Sequence, residues 1–273
     1  MHRIYTNLPI GVGAGDSLVI TGEEAHHAAR VKRVEGGEVV QLLDGAGMVG
    51  IALVLPMDAA GTAGLGARRR AGELVVRLLS LGREERASPV IEVCSATPKG
   101  QRTDDLVDGL SQVGAAAWRP LATAHGVVEP RESKLERLER RAVEASKQSG
   151  RPWVMRIGSE ISVPEVLMDA KAGRLVVADS TGVPYQTERA GGRADGGVGA
   201  IRLLVGPEGG FTKEELRLAR EAGATVCAFG PHIMRIEVAA VAACAVVMAA
   251  EWARAKGAQS REEAGRTVGG GNP

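Results

Sequence analysis

Apolar residues follow two different rhythms along this chain. Over residues 17–80 they come in short β-branched or leucine-rich runs: 17–20, 38–43, 49–55 and 73–80, each bounded by Gly or Asp. Such spacing predicts strands of a small barrel or sandwich. The Asp44-Gly45-Ala46-Gly47 string between two of the runs predicts a hairpin. A short helix is expected over 23–32, and the Gly/Ala-rich 56–72 segment, which contains Arg68, Arg69 and Arg70, reads as an exposed loop.

The pattern changes at residues 82–89, a charged and apolar-poor stretch that marks a domain boundary. Beyond it, strands are expected at 90–96, 175–178, 201–205 and 225–229. Helices are expected at 103–113, 133–148, 164–172, 212–222 and 238–255. Ser133-Lys134-Leu135-Glu136 and Thr212 with Glu215 both read as capping boxes. Alternating strands and helices imply a mostly parallel sheet covered on both faces. The resulting division is a first domain over 1–82, a second over 88–256, and a disordered tail over 257–273.

Composition narrows the class. The 273 residues carry 34 Lys+Arg against 33 Asp+Glu, with 44% hydrophobic and 25% charged residues, as in an ordinary globular protein. Near-neutral charge argues against wholesale electrostatic binding of nucleic acid and leaves room for a local basic patch. Cys94, Cys227 and Cys244 lie far apart, so buried thiols in a reducing compartment are expected rather than disulfides or a zinc ribbon. Residues 1–5 carry no apolar leader, and the longest apolar run, 238–250, is short of the roughly 20 residues that span a bilayer. A soluble cytoplasmic protein without membrane or metal partners is the expectation.

The most informative string is Leu203-Leu204-Val205-Gly206-Pro207-Glu208-Gly209-Gly210-Phe211-Thr212-Lys213-Glu214-Glu215-Leu216. A buried strand runs into a turn with three glycines and then into a capped helix. Glycine lets a ligand approach the backbone closely, and open α/β sheets bind ligands at the carboxyl ends of their strands. A second strand–loop–helix passage is Phe229-Gly230-Pro231-His232-Ile233-Met234-Arg235-Ile236-Glu237-Val238-Ala239. Phosphate-loop, dinucleotide, HExxH and GxSxG patterns are absent; Gly11-Val12-Gly13-Ala14-Gly15 follows no strand and opens no helix.

Together these passages resemble the ribosomal RNA small subunit methyltransferase E family of the SPOUT superfamily. That family's signature is similar to VGPEGGF(S/T)xEE followed by LGxxILRxETA. Val205 to Glu215 match the first part, and Gly230, Ile233, Arg235, Glu237 and Ala239 match the second. Pro98-Lys99-Gly100, the segment Glu144 to Arg151, and His26-His27 with Val31-Lys32-Arg33, Gly36-Gly37 and Asp44-Gly45 resemble further family segments. Departures also occur. Gly109 to Gly114 lacks the Lys and Glu of a KxTELG segment, His125 stands near an expected Arg, His232 takes a place often held by Arg, and Val238 replaces a Thr.

The resemblance implies an α/β fold: a PUA-like β-barrel that binds RNA, then a SPOUT-type knotted methyltransferase domain with a parallel sheet and a C-terminal trefoil knot. It implies a homodimer that transfers a methyl group from S-adenosylmethionine to N3 of a uridine in 16S ribosomal RNA within the 30S subunit. The implied cofactor-binding residues are Val205, Gly206, Pro207, Glu208, Gly209, Gly210, Phe229, Gly230, Ile233, Met234 and Arg235. Arg235 and Glu208 are the catalytic candidates. Arg235 either stabilises charge growing on the uracil oxygens or braces the loop against Glu237 or Glu208. Glu208 either orients cofactor and removes a proton or caps the following helix. Ile233 and Met234 suit a pocket wall or plain packing. Arg30, Lys32, Arg33 and Lys99 are the RNA-binding candidates, against the ordinary reading of a solvated basic face. His26 and His27 lack metal-ligand companions. Two further readings stay open: a non-catalytic RNA-binding or assembly protein on this fold, and a methyltransferase of this fold acting on another RNA.

Overall fold

In the computed structural model of the chain, the described residues are 1–31, 33–56, 62–63, 67–68, 73–126, 132–168, 173–187 and 199–268. They form two units. One comprises Met1–Arg86 with Val143–Val154, the other Ala87–Ala142 with Met155–Pro273.

The first unit is built on a five-stranded sheet. Its strands are β1 (His2–Tyr5), β2 (Ser17–Ile20), β3 (Val39–Leu43), β4 (Met48–Val54) and β7 (Leu74–Arg83), in the order β1-β3-β4-β7-β2. Only β1 pairs in parallel, with β3. The pair β5 (Thr62–Ala63) and β6 (Ala67–Arg68) forms a separate two-stranded ribbon inside the segment expected as loop. Asp44 closes the β3–β4 hairpin as expected: its Oδ1 accepts the N–H groups of Ala46 (2.7 Å) and Met48 (2.9 Å). Ile4, Ile20, Val40, Leu42, Ala52, Val54, Leu74, Val76 and Leu78 fill the core. The expected helix over 23–32 is shorter: α1 spans Gly22–His26 and widens into a π turn over His27–Val31.

This unit also receives the end of a long helix, α3 (Glu132–Ser149). Arg3 caps it, donating from Nη1 to the carbonyls of Lys147 (3.0 Å) and Gln148 (2.7 Å). A cation there satisfies carbonyls that have no intrahelical partner. Gly150 follows with φ +76, and a Cβ on it would lie 2.6 Å from the Arg3 guanidinium. Lys147, only 5% exposed, pairs with Glu24 and Glu144. Burial pulls its ammonium down, but the hydrogen bonds to Glu144 and Glu24 outweigh that and leave the group raised. The helix starts at Glu132, so Ser133 is already helical and does not hold the N-cap position expected of it.

The second unit carries the parallel sheet. Its strands are β8 (Ile91–Ser95), β9 (Ala117–Ala122), β10 (Arg156–Ile157), β12 (Arg174–Pro184), β13 (Ile201–Val205) and β14 (Thr225–Ala228), in the order β10-β9-β8-β13-β12-β14. A short β11 (Ile161–Ser162) also pairs with β9. The helices are α2 (Arg102–Gln112), α4 (Val163–Met168), α5 (Lys213–Glu221) and α6 (Ile236–Val268). One face of the sheet meets α6, on which α2 packs. On the other face Cys94, Val177, Leu204 and Val226 form a core with Val166 of α4 and Leu216 and Ala219 of α5. All three cysteines are buried thiols outside any disulfide; burial pushes the Cys94 thiol up to about 12.

Two corrections concern α6. The tail expected as disorder from 257 onward remains helical to Val268, because Ala, Gln, Arg and Glu dominate it and all are strong helix formers. Residues 269–273 lie outside the described residues. The apolar stretch is also longer than the expected run: Ile236–Gly257 is long and apolar enough to cross a membrane by length and composition. Here, however, Ile236, Ala240, Ala243, Cys244 and Val247 are core residues of the second unit.

Glu251 on the same helix is fully buried. It accepts the Tyr185 hydroxyl at 2.7 Å and pairs with Arg174 at 2.6 Å and Arg254 at 3.3 Å. Burial, followed by that hydrogen bond, raises the Tyr185 phenol. Removing one partner of a buried pair strands the other charge. Glu251→Ala should therefore destabilise the protein by about 3–5 kcal/mol in urea denaturation at 25 °C, while Arg217→Ala, on an exposed ion-pair ladder, should leave the denaturation midpoint nearly unchanged.

Candidate active site

One turn interrupts β12 and two others leave the carboxyl ends of its parallel neighbours β13 and β14. They close on one cavity of about 390 Å³, a size suited to a small-molecule ligand.

The first turn interrupts β12. Ala178 and Val183 both pair with Cys227, so Asp179–Gly182 stand out of the ladder as a bulge. Asp179 Oδ1 shapes it by accepting the Thr181 N–H (2.9 Å) and hydroxyl (2.6 Å). A Cβ on Gly182 would lie 2.5 Å from the Val226 carbonyl oxygen, so only glycine fits this approach.

The second turn runs from Gly206 to Phe211. Gly210 N–H donates to Pro207 O at 2.8 Å. Helix α5 then begins with the expected capping box: Thr212 Oγ1 accepts Glu215 N–H, and Glu215 Oε2 accepts Thr212 N–H. Phe211 is buried, and a Cβ on Gly206 would press on its ring at 3.1 Å. The turn after β9 docks here. Ala124 N–H donates to Glu215 Oε1 at 3.0 Å, and His125 Nδ1 lies 3.2 Å from Gly210 O.

The third turn covers Phe229 to Arg235. The Phe229 ring stacks on Tyr185, centroids 5.7 Å apart, so the Glu251 network reaches the cavity wall. Ile233 is 85% exposed, and Ala239 N–H donates back to Arg235 O as α6 begins.

Val205, Gly206, Pro207, Glu208, Gly209, Gly210, Phe229, Gly230, Ile233 and Met234 all line the cavity. Arg235 does not; it is exposed beside it, and among the described residues it pairs with neither Glu208 nor Glu237. Glu208 is also exposed, with Arg102 Nη1 at 3.9 Å. Arg30 and Arg33 are exposed in the first unit, Lys99 is exposed in the turn before α2, and Lys32, Arg69 and Arg70 lie outside the described residues. The cavity adds residues that sequence reasoning passed over: Ala178, Asp179, Ser180 and Thr181. The polar Asp-Ser-Thr-Gly string directly after an apolar strand was the available signal. Among the described residues, no group of three His, Cys, Asp or Glu could hold a metal ion.

Residues 85–248 match the model of an RNA methyltransferase domain, and residues 20–56 match that of an RNA methyltransferase PUA domain. Ribosomal RNA small subunit methyltransferase E of Mycobacterium bovis is 30% identical over 85% of this chain and 86% of its own length. The chain belongs to the ribosomal RNA small subunit methyltransferase E family. The family's enzyme from Bacillus subtilis is 27% identical over 84% of this chain and 88% of its own. Among solved structures, a methyltransferase of Legionella pneumophila in complex with bound cofactor SAM superposes with a TM-score of 0.72 at 25% identity, covering 91% of this chain and 97% of that one. The family enzyme of Neisseria gonorrhoeae shares the fold with a TM-score of 0.74 at 24% identity over the same shares.

Within this family fold, the β12 bulge depends on a residue without a side chain. Gly182→Ala should lower stability by about 1–3 kcal/mol, read as a fall in Tm by calorimetry, because the Val226 backbone cannot move aside as a flexible side chain would.

Proposed function

We propose that the protein uses S-adenosylmethionine to methylate small-subunit ribosomal RNA, and that the acceptor is N3 of one uridine of 16S ribosomal RNA within the 30S subunit. The observation that carries the reading is the cavity, closed by three turns in a chain of the ribosomal RNA small subunit methyltransferase E family. Action on ribosomal RNA implies a cytoplasmic protein.

The cavity fits the cofactor. Gly206, Gly209 and Gly210 leave backbone groups open to a ligand, Phe229, Ile233 and Met234 offer apolar surface for a purine, and Asp179 offers a carboxylate for hydroxyl or ammonium groups. When bound, S-adenosylmethionine supplies an electrophilic methyl group on a sulfonium that leaves as a neutral thioether. The chain's residues supply the remainder. Uridine N3–H is a weak acid, so the pocket must hold the base in line and accommodate charge growing on the uracil oxygens. Arg235, charged, exposed and beside the cavity, suits the second task. Glu208 faces solvent and Arg102, which suits orientation better than proton removal. Arg30, Lys32, Arg33 and Lys99 would contact phosphates and position the RNA without selecting the base.

The proposal includes the trefoil knot implied by the family resemblance, threaded through the segment that carries the three turns. It also includes a homodimer. Val238, Val246 and Trp252 are 50%, 43% and 56% exposed on α6. With the smaller Ala242 and Ala249 they make one apolar stripe at helical spacing, the kind of surface a second copy covers.

Incubation with S-adenosylmethionine and unmethylated 30S subunits should yield N3-methyluridine at one 16S position by mass spectrometry. Arg235→Ala should lower kcat by roughly 10²–10³-fold while cofactor affinity by titration calorimetry stays near wild type, because Arg235 lies off the cavity wall. Cofactor binding without methylation would point to another RNA; neither would favour a scaffold. Sedimentation should give a dimer that Val246→Glu converts to monomer.

A further inference from the structure

We propose that His125 is the base that takes the proton from the acceptor nitrogen of the RNA. The inference rests on the methyl-transfer reading above and adds a residue to it.

His125 sits in the turn after β9, which Gly126 N–H closes onto Thr123 O at 3.0 Å. The ring is held against the Gly-rich turn. Nδ1 lies 3.2 Å from Gly210 O, and a Cβ on Gly209 would be 3.4 Å from the same nitrogen. Gly209 and Gly210 both form the cavity wall. A carbonyl oxygen only accepts, so Nδ1 carries the hydrogen. In the neutral ring Nε2 then holds a lone pair, and the residue is exposed. One hydrogen bond thus fixes the tautomer and the orientation that a base requires.

The other candidates near the cavity fit less well. Asp179 Oδ1 is occupied by Thr181. Glu208 sits beside Arg102, which competes for its carboxylate. His232 makes no hydrogen bond among the described residues, so nothing orients its ring. The charged groups on the elements packed against His125 are Glu208 in the Gly-rich turn, with Arg102 against it, and Glu215 in the first turn of α5. The two carboxylates do not oppose positive charge arriving on the ring.

The step balances. The acceptor N–H proton moves to His125 Nε2, and its bonding pair stays on nitrogen. That pair forms the bond to the methyl carbon as the carbon–sulfur pair leaves with sulfur. The imidazolium returns its proton to solvent, so each methyl transferred releases one proton.

The test pairs a pH–rate profile with a measurement that needs no RNA. In single-turnover methylation of 30S subunits, the wild-type rate should rise with pH and then level as a base in the site loses its proton. His125→Gln keeps a donor for Gly210 O but cannot titrate. It should be slower by roughly 10²–10⁴-fold, lose that levelling, and bind S-adenosylmethionine and 30S subunits within about threefold of wild type. Nitrogen-15 NMR of the full chain should show His125 protonated at Nδ1 when neutral. A His125→Gln profile that matches wild type, or a ring protonated at Nε2, would overturn the inference. A wild-type protein that methylates nothing would instead overturn the functional reading, and the NMR result would still decide the tautomer.

Discussion

A fully buried carboxylate must find its compensation in the fold, and Glu251 finds it at both ends of one strand. Arg174 opens β12 and Tyr185 follows its last residue, yet both reach the same side chain. A strand of that length cannot lie straight and bring its ends so close. The surplus chain stands out as Asp179–Gly182, and the ladder resumes on the partner residue where it stopped. The bulge that walls the cavity lies in the same strand, between the two residues that compensate this charge. Through Tyr185 the same charge also sets the ring plane of Phe229 on the opposite wall.

The remaining wall includes the Gly-rich turn. Gly206 leaves room for the Phe211 ring, and Gly210 presents its carbonyl to His125. Helix α5 is anchored directly behind this turn by Thr212 and Glu215. Glu215 has a second task, since its other oxygen accepts from Ala124. One side chain therefore joins the helix start, the Gly-rich turn and the turn after β9, so their positions are coupled.

The first unit solves a separate problem with similar means. A long helix ends there, and Arg3, from the first strand, satisfies its last carbonyls. Lys147 is held among carboxylates from both its own helix and α1. The segment Glu144 to Arg151, which resembles a family motif, is here a helix ending stabilised from the sheet.

Elements whose information is local are legible in the residues alone. The Asp44 hairpin, the Thr212 capping box, the strand at 201–205 and the Gly-rich turn all follow from side chains that bond their own backbone or from unbroken apolar runs. The family resemblance likewise rests on contiguous strings. Strand β9 was not legible, because Arg119 and Pro120 interrupt it; Trp118 buries there by donating to Ser95 Oγ on the neighbouring strand, 2.9 Å away. The wall formed by the β12 bulge follows no local pattern, because it is defined by pairing with β14, distant in sequence. Arg235 looked equivalent to its neighbours in the motif, and only the start of α6 turns it off the cavity wall. Tertiary structure decided these points because each depends on a strand, a charge or a ring finding its partner across the fold, and no local pattern encodes that distance.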